Sequence, residues 1–183
     1  MAKNIDKIRT SNFWANLFKP PTQKNDLEEV LKNMPPFKHL KHKELKLLMQ
    51  LIHHRAYTAN EYVFYQGDPG IALYIIQKGE VLVTLNSDDN NQNLAIFGRG
   101  DFFGEMALLD EEIRSASAIA LSDADLAVIF KPDLDEFIDK YPDAGIKITR
   151  GLLQIIVTRL RVINHDYITL RNKSLEHQKE ELK

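Results

Sequence analysis

Phe102-Phe103-Gly104-Glu105-Met106-Ala107-Leu108-Leu109, followed by Arg114-Ser115-Ala116-Ser117-Ala118, concentrates more chemistry than any other part of this chain. Glu105 and Arg114 stand nine positions apart, with a glycine before the carboxylate and small residues at 107, 115, 116 and 117. Arginine offers a planar fork of donors to phosphate oxygens. Glutamate offers acceptors to a hydroxyl. Gly104 lets backbone come close, and the N–H groups around it can cradle an anion. The combination suits a ligand with one hydroxyl face and one anionic face. The competing reading is a plain Glu105–Arg114 ion pair closing a surface loop. Such a pair contributes only about 0–1 kcal/mol, and it would require neither the glycine nor the small residues.

On either side of this stretch, short apolar runs alternate with turn residues. Strands are expected at 62–65, 73–77, 80–85, 93–97, 116–121 and 125–130. Gln66-Gly67-Asp68-Pro69-Gly70, Lys78-Gly79, residues 86–91 and Gly98-Arg99-Gly100-Asp101 supply the turns between them. Many short strands with little helix between them argue an antiparallel barrel or jelly roll.

The flanks read as helical. Residues 25–53 give helix, break, helix: Asp26 is a candidate N-cap with Glu29 as reciprocal partner, and Leu27, Val30 and Leu31 form the first apolar face. Met34-Pro35-Pro36-Phe37 interrupts, and Leu40, Leu45, Leu48, Met49 and Ile52 form the second face. A short helix over 133–140 follows the strands. Beyond Pro142, Leu153, Ile156, Leu160, Ile163, Tyr167 and Leu170 recur at alternating spacings of three and four, an a/d seam. Residues 1–23 carry Phe13, Trp14, Leu17 and Phe18 before Pro20-Pro21. That cluster is read as packing on its own domain or a dimer partner, or as a handle for a membrane or another protein. The expected division is a peripheral segment over 1–23, a domain over 24–142, and a C-terminal lid and dimerisation helix over 143–183.

Composition narrows the function. The chain has 183 residues, 44% of them hydrophobic, a net charge of −2 and no cysteine. Thiolate metal sites, disulfides and cysteine nucleophiles are excluded. There is no basic excess to favour nucleic acid or an anionic membrane. No apolar run approaches the roughly 20 residues of a membrane span, no leader is visible, and a cytoplasmic protein is expected.

These motifs, in this order, closely resemble the cyclic nucleotide-binding domain family, which includes the protein kinase A regulatory subunits, cyclic-nucleotide-gated channels and the bacterial catabolite activator protein. Gln66 to Gly70, Leu73-Tyr74-Ile75-Ile76, Lys78-Gly79-Glu80-Val81 and Gly100 to Glu105 are similar to the turns and strands of that family's jelly roll, and the likeness runs from about Met34 to Asn164. The resemblance implies an α+β fold, an antiparallel β jelly roll flanked by N-terminal helices and a long C-terminal helix. It implies that Glu105 accepts a bond from a ribose hydroxyl and that Arg114 pairs with the phosphate. Backbone around Gly104, Met106, Ala107 and Ser115 would complete the cassette. By strand position, Val83 and Leu94 would line the base pocket, and Asn164 could face it from the helix. Ser115 leaves cAMP and cGMP both open, with cAMP slightly favoured.

Other residues carry less. His39, His42, His53 and His54 are read as ordinary, partly exposed histidines on an amphipathic helical segment, and Asp88, Asp89, Asn90 and Asn91 as a hairpin turn rather than a calcium loop. No nucleophile–base pair and no Walker-type loop are seen, so no enzyme, metal or cofactor is expected beyond the ligand. Only Arg171 to Lys183 follow the seam, too few for a DNA-reading domain. The expectation is a stand-alone cyclic nucleotide receptor, homodimeric through the C-terminal helix, signalling to an unknown protein effector. The alternative is a ligand-free scaffold or an accessory subunit acting through protein contacts.

Overall fold

The computed structural model describes residues 27–87, 90–109 and 113–181. Two four-stranded antiparallel sheets pack face to face. One has the order β1 (His53–Tyr57), β8 (Ala124–Phe130), β3 (Ala72–Lys78), β6 (Phe102–Phe103); the other has β2 (Tyr62–Phe64), β7 (Ser117–Ala120), β4 (Val81–Ser87), β5 (Asn90–Phe97). Helices α1 (Leu27–Asn33), α2 (His42–Met49), α3 (Lys131–Lys140) and α4 (Pro142–Glu181) complete the α+β jelly roll.

β3 explains why two cores exist. Its residues from Ala72 to Ile76 are all buried. Successive side chains of a strand point to opposite faces. Leu73 and Ile75 therefore join Ala127 and Ile129 beneath the helices, while Ala72, Tyr74 and Ile76 join Leu126, Val128 and Phe103 between the sheets. The continuous apolar run Leu73 to Ile76 is the signature of a strand covered on both sides. The turn after β3 depends on Gly79, whose φ is +84° and whose added Cβ would lie 2.4 Å from the Asp123 carbonyl oxygen.

The expected strands are present with shifted ends, and two readings need correction. The segment holding His53 and His54 is not helical. It is β1, paired with β8 from His53↔Val128 to Tyr57↔Ala124. His-His-Arg has no apolar alternation to announce a strand; pairing with β8 creates it. The turn over 86–91 is also tighter than read, since Asn86↔Asn91 and Ser87↔Asn90 are still paired. Asp88 and Asp89, like residues 1–26 with the proposed Asp26 cap and the aromatic cluster, lie outside the described residues.

Helix α4 is 40 residues long. The residues that pack it on the domain are Ala144, Ile148, Leu152 and Ile155. Burying Ile148, Leu152 and Ile155 is worth about 1.5–3 kcal/mol each, enough to fix the helix. Gly151 sits against the Pro35-Pro36 corner between α1 and α2, and Lys147 Nζ donates to both oxygens of Glu44 on α2, at 2.9 and 2.7 Å. Leu153, Leu160, Ile163, Tyr167 and Leu170 face outward and are exposed. Among the described residues, no helix is long and apolar enough to cross a membrane.

Candidate functional site

Residues 103–106 and 113–116 build one wall of a cavity of about 740 Å³. β6 ends at Phe103, the chain turns through Gly104 at φ +78°, and a 3₁₀ turn runs from Glu105 to Leu108. Gly104 is needed twice. Its backbone is left-handed, and an added Cβ would lie 2.8 Å from Arg114 Nη1 and 3.1 Å from the Ala72 carbonyl oxygen. The guanidinium is thus seated against bare backbone.

Arg114 is 5% exposed. Its Nη2 donates to the Ala72 carbonyl at 2.9 Å and its Nη1 to the Gly104 carbonyl at 3.3 Å. Its Cζ stands 4.2 Å from the Phe64 ring centroid and 5.5 Å from that of Tyr74, a cation–π seat. Burial pushes the Arg114 pKa down and the Tyr74 pKa up. Arg114 Nε is buried with no partner. The 66–70 turn straps its backbone: Gly67 N–H donates to the Arg114 carbonyl at 2.9 Å, and Arg114 N–H donates to the Asp68 carbonyl at 2.8 Å.

Glu105 is 1% exposed. Its carboxylate pairs with Arg159 of α4, through Oε1, and not with Arg114. Its second oxygen, Oε2, is buried without a hydrogen-bond partner. The loop-closing Glu105–Arg114 pair is therefore not what the two residues form. One buried acceptor and one buried donor, each wanting a partner, stand in the same cavity. A buried polar atom left unpaired is destabilising, and a ligand carrying a hydroxyl and an anion would satisfy both.

Of the other expected site residues, Val83, Met106 and Ser115 line the cavity beside Gly104, and Ala107 belongs to the 3₁₀ turn. Leu94 does not line it. The β4–β5 register steps from Val83↔Ala95 to Thr84↔Asn93, which leaves Leu94 unpaired and 47% exposed. Asn164 is also exposed on α4. It lies five residues past Arg159, roughly 140° around the helix and about 7.5 Å further along it. Phe64, Phe97, Phe103 and Arg159 line the cavity without having been foreseen. The aromatic residues give flat apolar walls; they read in sequence as ordinary core. Arg159, one position before Leu160, reads as a solvated helix residue until the fold brings α4 to the cassette.

The histidines stand apart. His42 is 3.3 Å from Glu28, His53 3.3 Å from Asp133 and His54 2.8 Å from Gln77.

Comparison with known proteins agrees with this geometry. The cyclic nucleotide-binding domain model matches residues 54–141. The cyclic AMP receptor protein of Thermus thermophilus is 36% identical over 132 residues, covering 72% of this chain and 59% of that protein. A cGMP-dependent protein kinase of Drosophila melanogaster is 31% identical over 153 residues, covering 75% of this chain and 16% of the kinase. The chain thus spans under two thirds of either relative. The crystal structure of a cyclic nucleotide-binding domain from Methylobacillus flagellatus superposes with a TM-score of 0.68 at 29% identity, covering 78% of this chain and 80% of that one. Residues 54–141 of the chain thus belong to the cyclic nucleotide-binding domain family.

Proposed function

We propose that the cavity binds a cyclic mononucleotide, cAMP ahead of cGMP, and that the chain is a receptor rather than an enzyme. In this reading Glu105 Oε2 accepts the ribose 2′-hydroxyl, and the Arg114 guanidinium meets the exocyclic phosphate. Backbone at Gly104 and around Ala107 and Ser115 adds donors, and Val83, Phe97 and Phe103 enclose the base. The carrying observation is that Glu105 Oε2 and Arg114 Nε, both buried, both lack a partner in a single cavity. Relatives named for cAMP and for cGMP both occur, and the Ser115 hydroxyl is compatible with either base.

The two oxygens of Glu105 supply a mechanism. Oε1 holds Arg159 of α4 while Oε2 takes the ligand, so the ligand settles the carboxylate on which the helix is anchored. Binding then shifts the population of α4 positions, and a protein that prefers one position is coupled reciprocally to the ligand. The exposed stripe of α4 is read as a homodimer contact, and the cytoplasm as the site of action.

Calorimetric titration of nucleotide-stripped protein with cAMP, cGMP, 2′-deoxy-cAMP and a cyclic dinucleotide tests this. Saturable binding of a cyclic mononucleotide is expected. An unpaired buried acceptor costs about 1–3 kcal/mol, so the deoxy compound should bind roughly 5- to 150-fold more weakly than cAMP. Heat from none of the four would leave the ligand-free scaffold instead.

A further inference from the structure

The net charge of −2 conceals a segregation. Residues 1–50 hold ten of the chain's 24 cations and only five of its 26 acids. Such asymmetry points to an anionic partner for one part of a chain. Among the described residues the excess lies on α2 and the turn before it. Leu45 and Leu48 of α2 are buried. On one side of the helix, Glu28 of α1 is engaged by Lys32 at 2.6 Å and His42 at 3.3 Å. On the other, Glu44 accepts from Lys147 of α4. Lys43 and Lys46 each stand two positions from a buried leucine, roughly 200° around the helix, on its outward side. Lys38 and Lys41 lead into them. All four lysines are exposed, and none forms an ion pair among the described residues.

The chain that enters this face carries the same sign. Residues 1–26 lie outside the described residues. By composition they hold five cations against Asp6 and Asp26, with Phe13, Trp14, Leu17 and Phe18 among them. Lys24 stands three positions before α1 begins at Leu27, so the segment and the lysine face are tethered closely enough to meet one surface together. We propose that the outward face of α2 and the aromatic segment before it form a peripheral docking surface for an anionic membrane. Tryptophan and phenylalanine beside lysine and arginine suit the lipid–water interface. Clustered exposed lysines suit anionic headgroups. Ile5, Ile8 and Leu17 have aliphatic side chains that lipid accepts and a nucleic-acid backbone does not reward. The assignment does not depend on the cavity binding a nucleotide.

Flotation of the full chain with lipid vesicles tests it. The chain should float with phosphatidylcholine vesicles that contain about one quarter phosphatidylserine, and not with phosphatidylcholine alone. Raising salt from about 50 to 300 mM should weaken the attachment. Each lysine near the surface is worth about fivefold in partitioning, so Lys43→Glu/Lys46→Glu should lose about 25-fold or more, and Lys43→Gln/Lys46→Gln less. Both variants alter exposed side chains, and an unchanged melting temperature reports an intact fold. Trp14 is the chain's single tryptophan, so its emission should move to the blue when anionic vesicles are added. Failure to float would overturn the assignment, as would equal flotation with neutral vesicles or with the charge-reversed variant. So would Trp14 emission that does not move, or an oligonucleotide or polyglutamate that binds more tightly than the anionic vesicles.

Discussion

Arg114 holds a full positive charge where little solvent reaches it, steadied by two carbonyl oxygens and the face of Phe64. Among the described residues no carboxylate forms an ion pair with it, so the charge is poised for an anion from outside the chain. Arg114→Ala should leave both cores in place, since neither includes the guanidinium. Truncating one partner of a buried charged pair typically costs about 2–5 kcal/mol. Cyclic nucleotide affinity should therefore fall about 30- to several-thousand-fold, read by calorimetry. Unchanged affinity in a folded variant would remove Arg114 from the site. Glu105, Arg114 and Gly104 were legible in the sequence because they form one local unit, with the glycine set by both φ and space. Leu94 misled because a one-residue register step is invisible in a run of apolar letters. Arg159 was silent because its role exists only once α4 crosses the cassette.

At the level of elements, α4 is held at close quarters by the corner between α1 and α2. A Cβ on Gly151 would lie 2.2 Å from the Pro35 carbonyl oxygen and 2.4 Å from Pro36 Cα. Those are backbone atoms and cannot rotate aside. Gly151→Ala gains about 1 kcal/mol of helix propensity but loses more to overpacking, typically 1–3 kcal/mol. The net is a loss of up to about 2 kcal/mol, a Tm lower by up to roughly 8 °C in a thermal melt; a higher Tm would show that the corner yields. The Glu44–Lys147 contact ties the same helix to α2. Burial opposes ionisation of Glu44, but the hydrogen bonds from Lys147 and from the Lys41 backbone N–H, with the charges of both lysines, together outweigh it, and the carboxyl titrates below its ordinary value. A lowered folded pKa stabilises the fold above the unfolded value, and that contribution disappears as pH falls through the folded one. The Tm advantage of native protein over Glu44→Gln should be full at neutral pH and fade in acid below the usual glutamate range. An advantage that grows in acid would contradict the assignment. Periodicity gave the existence of α4 but not which side packs inward, because two apolar stripes share the helix and only the α1–α2 corner selects between them. β1 could not be read, since its polar residues become a strand only by pairing with β8.

For the whole molecule, the outward stripe of α4 is an apolar feature left uncovered among the described residues. Leu160 is 53% exposed and Tyr167 63%. A second copy, related by a two-fold axis, is the expected cover. Light scattering at tens of micromolar should give a dimer. Leu160→Asp would place a charge from each copy in the seam, at several kcal/mol per buried ion, and should yield monomers. A variant that stays dimeric would move the contact elsewhere. The jelly-roll class followed from turn spacing, and the double core from β3. How the helices stack upon that sheet depended on contacts far apart in the chain, such as Gly151 with Pro35.

The pairing of Arg159 with Glu105 has a mechanical consequence. From Arg159 to Glu181 the helix runs another 22 residues, about 33 Å at 1.5 Å per residue. Pivoting about the point where α4 meets the cassette, a tilt of only about 5° would swing the far end by roughly 3 Å. The helix is a pointer whose short arm is a single carboxylate, and an atomic adjustment at Oε1 would arrive at its tip as a displacement the size of a side-chain contact.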